Sequence, residues 1–306
     1  MSAEGRAMPG RKIPPAVIIT MIVIMGFGAP ACALDLLLGT GPSGTFSHFA
    51  GRSICRVVNS QAGDLDCTVV PASGDVDNLT NLQGGSLDLA LVDARMLRDA
   101  VNHRGDFEFL DIRYDLLKSL IPVYNQAITI VARRDAGITS LGALKGKRIN
   151  AGLPESPQRR AVAAIMAAKG WTEKDFGVVQ ALSPSHAQDR MAFCHGETQV
   201  LFHVGVHPDA SVRQILDLCS AELVNLEKDV QVLVDHHEAF RKIRIDAGLY
   251  PSQPKAVTTF GTRVVLAASE DLDEETAAAV VNAIKTGRHR LQSAHPALLA
   301  DGVGSR

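Results

Sequence analysis

Between Asp35 and Asp93 the chain alternates short apolar runs with segments of helical period, joined by connections of a few residues. Asp35–Gly39 reads as a strand. Thr45–Asn59 repeats Phe46, Phe49, Ile54, Val57 and Val58 at helical spacing, and Leu65–Pro71 is a second strand. Asp75–Gln83 reads as a helix with Ser73 as N-cap, and Leu87–Val92 as a third strand closed by Asp93. Parallel strands need a crossover long enough to hold a helix, so this order predicts an α/β fold with a parallel sheet flanked by helices.

The pattern continues with a strand at Ala127–Arg133, a short helix at Ser140–Leu144, a strand at Arg148–Ala151 and an alanine-rich helix at Gln158–Lys169. Gln199–Val204 is a buried strand and Ser211–Cys219 a helix. Asp229–Ile243 is expected to be helical, Val257–Ser269 to be β-rich, and Glu274–Ser293 to form one amphipathic helix. Residues 102–115 read as an irregular surface loop. Two long strand-like segments, Ala127–Arg134 and Thr262–Ser269, bracket the middle of the chain. A chain that leaves a domain and returns to it needs two such crossings. The expectation is two α/β lobes, 34–128 plus 264–306 and 129–263, with helix termini facing a ligand cleft between them.

The N-terminus is of another kind. Arg6, Arg11 and Lys12 precede an uncharged apolar run, Ile13–Phe27, and then Ala31-Cys32-Ala33. This is the layout of a secretory signal peptide cut after Ala33, which places the mature chain in the periplasm. The run is short of the roughly 20 residues of a membrane span. Export changes how the cysteines read. Cys55, Cys67, Cys194 and Cys219 remain after cleavage, an even number in an oxidising compartment. Three pairings are open; the local ones, Cys55–Cys67 and Cys194–Cys219, would each tie a helix or turn to the next element. Zinc ligation is not expected, because no C-x-x-C pair is present. A net charge of −2 over 306 residues exerts no global pull on nucleic acid.

Gly39, Gly41 and Gly44 have the G-x-G-x-x-G spacing of a dinucleotide turn. A dinucleotide fold also wants an acid at the end of the second strand, and that strand runs into Val70-Pro71-Ala72-Ser73. A phosphate-binding lysine loop is excluded too, because Thr45 follows Gly44. No cofactor is expected. What remains is an exposed backbone turn at the positive end of a helix, with Thr40, Ser43 and Thr45 adding hydroxyls, a cradle for an anion such as a carboxylate. The pattern recurs at Ser73-Gly74 and at Ser156-Pro157, where Arg159 or Arg160 adds a guanidinium.

Catalytic constellations are not found. His203 and His207 have i, i+4 spacing, but Gly205 and Pro208 argue against the helix a zinc pair would use; a structural or pocket-wall role is expected, with His203 counted among the candidate ligand-binding residues. Ser183-Pro184-Ser185-His186 reads as a loop and cap with no matched acid. His236 and His237 are helix neighbours that point apart. Trp171 reads as packing, and Asp271, Asp273, Glu274 and Glu275 as an acidic helix start. The chain is not expected to be an enzyme.

Several segments, in order, resemble the TAXI group of TRAP transporter solute receptors: "LGTGPSGTFSHFAGRSICRVVN", "DCTVVPASGDVDNLTNLQGGSLDLALVDA", "ITIVARRDAGITSLGALKGKRINAGLPESPQRRAVAAIMAAKGWTEKDF", "AFCHGETQVLFHVGVHPDASVRQILDLCSAELV" and "TFGTRVVLAASEDLDEE". The resemblance implies a type II periplasmic binding protein, α/β with two lobes and a ligand cleft between them. It implies a monomer that captures a small organic acid or amino acid, glutamate-like or dicarboxylate, and delivers it to membrane permease subunits. Carried over by position, ligand contacts fall on Gly39, Thr40, Gly41, Ser43, Gly44, Thr45, Ser73, Gly74, Asp93, Ser156 and Arg159. In one branch of that group cysteines occupy the places of Cys55, Cys67, Cys194 and Cys219, which supports the local pairing. Phe46 and Ser47 stand where a tyrosine pair is usual, Glu155-Ser156-Pro157 replaces a G-S-G turn, and the segment after the last helix is short. These departures motivate an alternative, a ligand-sensing or structural subunit of a membrane complex that keeps the fold without transport.

Overall fold

Two long strands organise the sheet, and their period-2 patterning explains why. The computed structural model describes residues 33–154, 156–182 and 187–300, the side chains of 187–189 excepted. The signal-peptide reading of residues 1–33, all but Ala33, lies outside these residues, as do the Ser183–His186 loop and Glu155.

Strands β1 (Leu34–Thr40), β2 (Leu65–Pro71) and β3 (Leu89–Asp93) alternate with helices α1 (Phe46–Gln61) and α2 (Asp75–Gln83), and α3 (Ala94–Val101) follows. Then come β4 (Leu117–Arg133), β5 (Arg148–Asn150), α4 (Pro157–Lys169), β6 (Val178–Gln180), α5 (Ala187–Cys194), β7 (Val200–Gly205) and α6 (Ala210–Leu218). The chain continues through β8 (Ala221–Leu223), α7 (Val230–His236), β9 (Arg241–Ile245), β10 (Val257–Ser269), α8 (Glu274–Thr286) and α9 (Arg288–Ala294). The strands form one ten-stranded sheet in the order β2-β1-β3-β10-β4-β7-β5-β6, with β8 beside β4 and β9 beside β10.

The outer pairs, β1 with β2 and β3, and β5 with β6 and β7, are parallel as the crossover helices require. The centre is antiparallel. β10 runs along β4 from Phe260↔Ile128 to Ser269↔Leu117, with register shifts opposite a stretch that holds Pro122, which has no N–H to give the ladder. Side chains alternate across these two strands. In one half of the sheet, Val264, Leu266 and Ala268 join a core with Leu36, Leu38, Ile54 and Val280, while Val265 and Ala267 face another with Leu79, Leu82, Phe107 and Tyr114. In the other half, Ile128, Ile130 and Ala132 pack with Val162, Ile165 and Phe202, while Val131 packs with Phe193, Ile215 and Tyr250 on the opposite face.

The structure corrects several expectations. Asp229–Ile243 is not one helix: α7 ends at His236, and Arg241–Ile245 alternates exposed Lys242 and Arg244 with more buried neighbours and pairs with β10. Glu274–Ser293 breaks at Gly287, where a Cβ would stand 2.2 Å from Val57 Cγ1 of α1. The helix at Ser140–Leu144 is only a 3-10 turn, Gly142–Leu144. The loop 102–115 is not all surface, because Phe107 and Tyr114 are fully buried and meet edge to face at 5.2 Å. Disulfides join Cys55 of α1 to Cys67 of β2, and Cys194 of α5 to Cys219 beside α6. Trp171 packs against Phe176 with ring centroids 5.9 Å apart.

Candidate functional site

A cleft of about 950 Å3 opens where helices from both halves of the sheet begin. From the first half come Gly41, Thr45, Phe46 and Ser47 at the start of α1, Ser73 to Asp77 at the start of α2, and Asp93 after β3. From the second come Arg160 of α4, His203 of β7, Asp209 at the start of α6, and His237 and Phe240 after α7. Gln126 of β4 and Thr262 of β10 are register partners and line the cleft from the central strands.

The glycine turn divides its work. Gly39 lies outside the cleft, because a Cβ there would stand 2.5 Å from both Asn78 Oδ1 and Leu87 Cδ1, so glycine lets β1 approach α2. Gly44 takes a left-handed φ of 88°, which favours glycine. Thr40 is buried and its hydroxyl meets His48 Nδ1 at 3.2 Å. Gly41 N–H donates to Ser47 Oγ at 3.1 Å, so that donor is already engaged within the turn. Thr45 is the N-cap of α1: its Oγ accepts from His48 N–H and donates to the Pro42 carbonyl. Of the expected cradle, Gly41 and Thr45 line the cleft, while Gly39, Thr40, Ser43 and Gly44 stand behind or beside it.

At α2 the N-cap is Gly74 rather than Ser73. Ser73 donates its N–H and its hydroxyl to Asp77 Oδ2, both at 3.1 Å, so a carboxylate of the chain itself occupies part of this helix start. Those bonds, the backbone one first, hold Asp77 below the usual carboxylate range. Asp93 caps α3, accepting Arg95 N–H at 2.8 Å, and its own N–H donates to Asp75 Oδ2 at 3.2 Å. Burial, with Asp93 beside it, pushes the Asp75 carboxyl up to about 6.

At α4, Ser156 is the N-cap, accepting Arg159 N–H at 3.2 Å, with Pro157 in the first turn. Arg159 is turned away: its guanidinium bonds Glu173 and the Gly152 carbonyl. Arg160 lines the cleft instead, since successive helix residues point about 100° apart. His203 is in the cleft wall, with Nε2 buried and without a hydrogen-bond partner, and burial holds its ring below the ordinary imidazole range. Its ring meets His207 edge to face at 5.5 Å. His207 is held away from ligation by Thr129, 2.8 Å from Nε2, and by Tyr250 at Nδ1. Among the described residues no three His, Cys, Asp or Glu side chains come together as a metal site. Asp209 caps α6, accepting Ser211 and Val212 N–H. Burial pushes its carboxyl up, but these bonds and the Ser211 hydroxyl outweigh it and hold the group below its ordinary value.

Sequence reasoning left Arg159 and Arg160 as alternatives, and missed Asp75, Asp77, Asp209 and the Gln126–Thr262 pair. Asp209 was accessible, as an N-cap before a helical run. Asp75 was not, because a first-turn acid is common on any helix.

A model of the NMT1-like family matches residues 38–303. Among solved structures, a TctC solute binding protein from Polaromonas is similar at a TM-score of 0.59 and 16% identity, over 87% of this chain and 88% of that one. The probable amino-acid ABC transporter extracellular-binding protein ytmK from Bacillus subtilis gives 0.53 and 9% identity, over 88% and 99%. The periplasmic sulfonate-binding protein SsuA of a putative sulfonate ABC transporter from Methylobacillus flagellatus KT gives 0.51 and 15%, over 84% and 68%. At these identities the likeness establishes the fold, that of type II periplasmic solute-binding proteins.

Proposed function

The chain belongs to the NMT1-like family, and from that premise we propose that it is a periplasmic solute-binding receptor rather than an enzyme. The carrying observation is the cleft of about 950 Å3, lined by helix starts from both halves of a binding-protein sheet. In this reading residues 34–128 plus 264–306 and residues 129–263 are lobes that close on a small solute. Residues 1–33 are the leader removed on export. The sequence resemblance assigns the receptor to a TAXI-type TRAP transporter, whose permease subunits take over the cargo. A solute carboxylate is served by Arg160 and by backbone N–H groups at the start of α1. The resemblance, the fold and the cleft argue together for capture and release.

The test is a thermal-shift and calorimetric screen of the mature protein against organic acids and amino acids. A specific solute raises the midpoint by mass action. Silence from every amino acid, 2-oxoacid and dicarboxylate at millimolar concentration overturns the receptor assignment.

A further inference from the structure

The cleft is acidic. Asp75, Asp77, Asp93, Asp106 and Asp209 line it, against the guanidiniums of Arg95 and Arg160. The imidazoles of His203 and His237 do not redress the balance, because burial favours their neutral forms. Arg95 is partly committed elsewhere, bonded to Asp99 at 3.2 Å. Asp77 is held by Ser73 and Asn81, and Asp209 by its own helix start.

Asp93 caps its own helix through Oδ1, but it also stands beside Asp75: its backbone N–H donates to Asp75 Oδ2 at 3.2 Å, so the two acids are neighbours in a half-buried wall and each charge acts on the other. Like charges so placed repel, and a cation between them removes the penalty. Tyr124 stands beside both, its ring edge to face with Phe46 at 4.9 Å, so an apolar and aromatic surface adjoins the pair. Aromatic faces favour an organic cation over a hydrated one. Arg160 acts on Asp75 electrostatically from the other half of the sheet, so opposite charges meet across the cleft. The buried, unpartnered Nε2 of His203 in the same cleft is a second polar group that a solute would satisfy.

We propose that the solute carries an ammonium group seated between Asp75 and Asp93, with Arg160 facing its acidic end. This rests on the receptor reading and narrows it: amino acids and amines fit, and simple dicarboxylates do not.

Matched pairs isolate the ammonium. The mature protein is titrated by calorimetry with L-glutamate and 2-oxoglutarate, L-alanine and pyruvate, L-aspartate and succinate, and with L-lysine and 1,4-diaminobutane. At least one amine is expected to bind, tenfold or more tighter than its amine-free counterpart. Asp75→Asn keeps an acceptor for the Asp93 N–H, and is expected to weaken that amine by tenfold or more. An oxoacid or dicarboxylate that binds as tightly as its amine overturns the ammonium assignment and leaves the receptor standing. Unchanged amine binding by Asp75→Asn, or a response to Ca2+ or Mg2+ alone, overturns it in the same way. Silence from all probes at 10-millimolar scale overturns both.

Discussion

Asp75 sits in the first turn of α2, where the helix dipole favours a carboxylate, yet burial and the nearby Asp93 push it up to about 6. Arg95 and Arg160 pull the other way and do not prevail. The sign follows from linkage. The folded value lies above the ordinary 3.8, so the neutral form is favoured by folding. That contribution is complete below 3.8 and is lost as pH rises through about 6. Asp75→Asn is therefore expected to gain on the order of 2 kcal/mol over the native protein at pH 7.5, with the gain vanishing near pH 3.5. Urea denaturation of both proteins at the two pH values checks it, and a gain independent of pH contradicts it. Gly39 supplies a second prediction at this scale. Gly39→Ala places a Cβ 2.5 Å from Asn78 Oδ1 and Leu87 Cδ1, and overpacking of this kind costs about 1–3 kcal/mol. A lowered urea midpoint at unchanged slope is the expected record. Residue identity alone revealed the helix starts at Thr45 and Ser156, because a cap acts within three or four positions. It did not reveal that Asp93 stands beside Asp75, eighteen positions earlier in the sequence.

Among the elements, α1 and β2 are tied by the Cys55–Cys67 disulfide and the region between α5 and α6 by Cys194–Cys219. The bridges span 12 and 25 positions, so each restricts the unfolded chain by about 3 kcal/mol in the chain-entropy account. The Cys194→Ser/Cys219→Ser double variant is expected to lose stability of that order, read from urea denaturation without reductant. Thiol titration of the denatured, unreduced mature protein is expected to find none of these four cysteines free. The elements that sequence patterning placed well are those with strong local punctuation. β2, α2 and β10 fall at the expected boundaries, each bracketed by Gly, Pro, Ser or Asp. β9 was hidden because Arg241-Lys242-Ile243-Arg244-Ile245 fits a helix end or an edge strand equally well, and only pairing with β10 decides between them. The break before α9 was hidden because Gly287 is tolerated in a helix, and the reason for it lies on Val57 of α1.

For the whole molecule, the central strands carry the consequence. β4 and β10 lie side by side through both halves of the sheet, and Gln126 and Thr262 face the cleft from the stretch where one half gives way to the other. If the halves are lobes that close on a solute, binding contracts the molecule by hinge motion in these strands. Small-angle scattering of the mature protein is expected to show a smaller radius of gyration with a saturating solute than without it. An unchanged radius with demonstrated binding rules out closure.

By itself the sequence determined the alternation of strands and helices, the parallel outer pairs and the helix starts, and it favoured the local disulfide partners. Each depends on residues near one another in the chain or on the crossover geometry that any such chain must obey. Only the tertiary structure decided the antiparallel centre, the choice of Arg160 over Arg159 for the cleft, and the meeting of Asp75 with Asp93. Those turn on which side chains share a space, and charge in a cleft is a property of that shared space, summed over elements far apart in sequence.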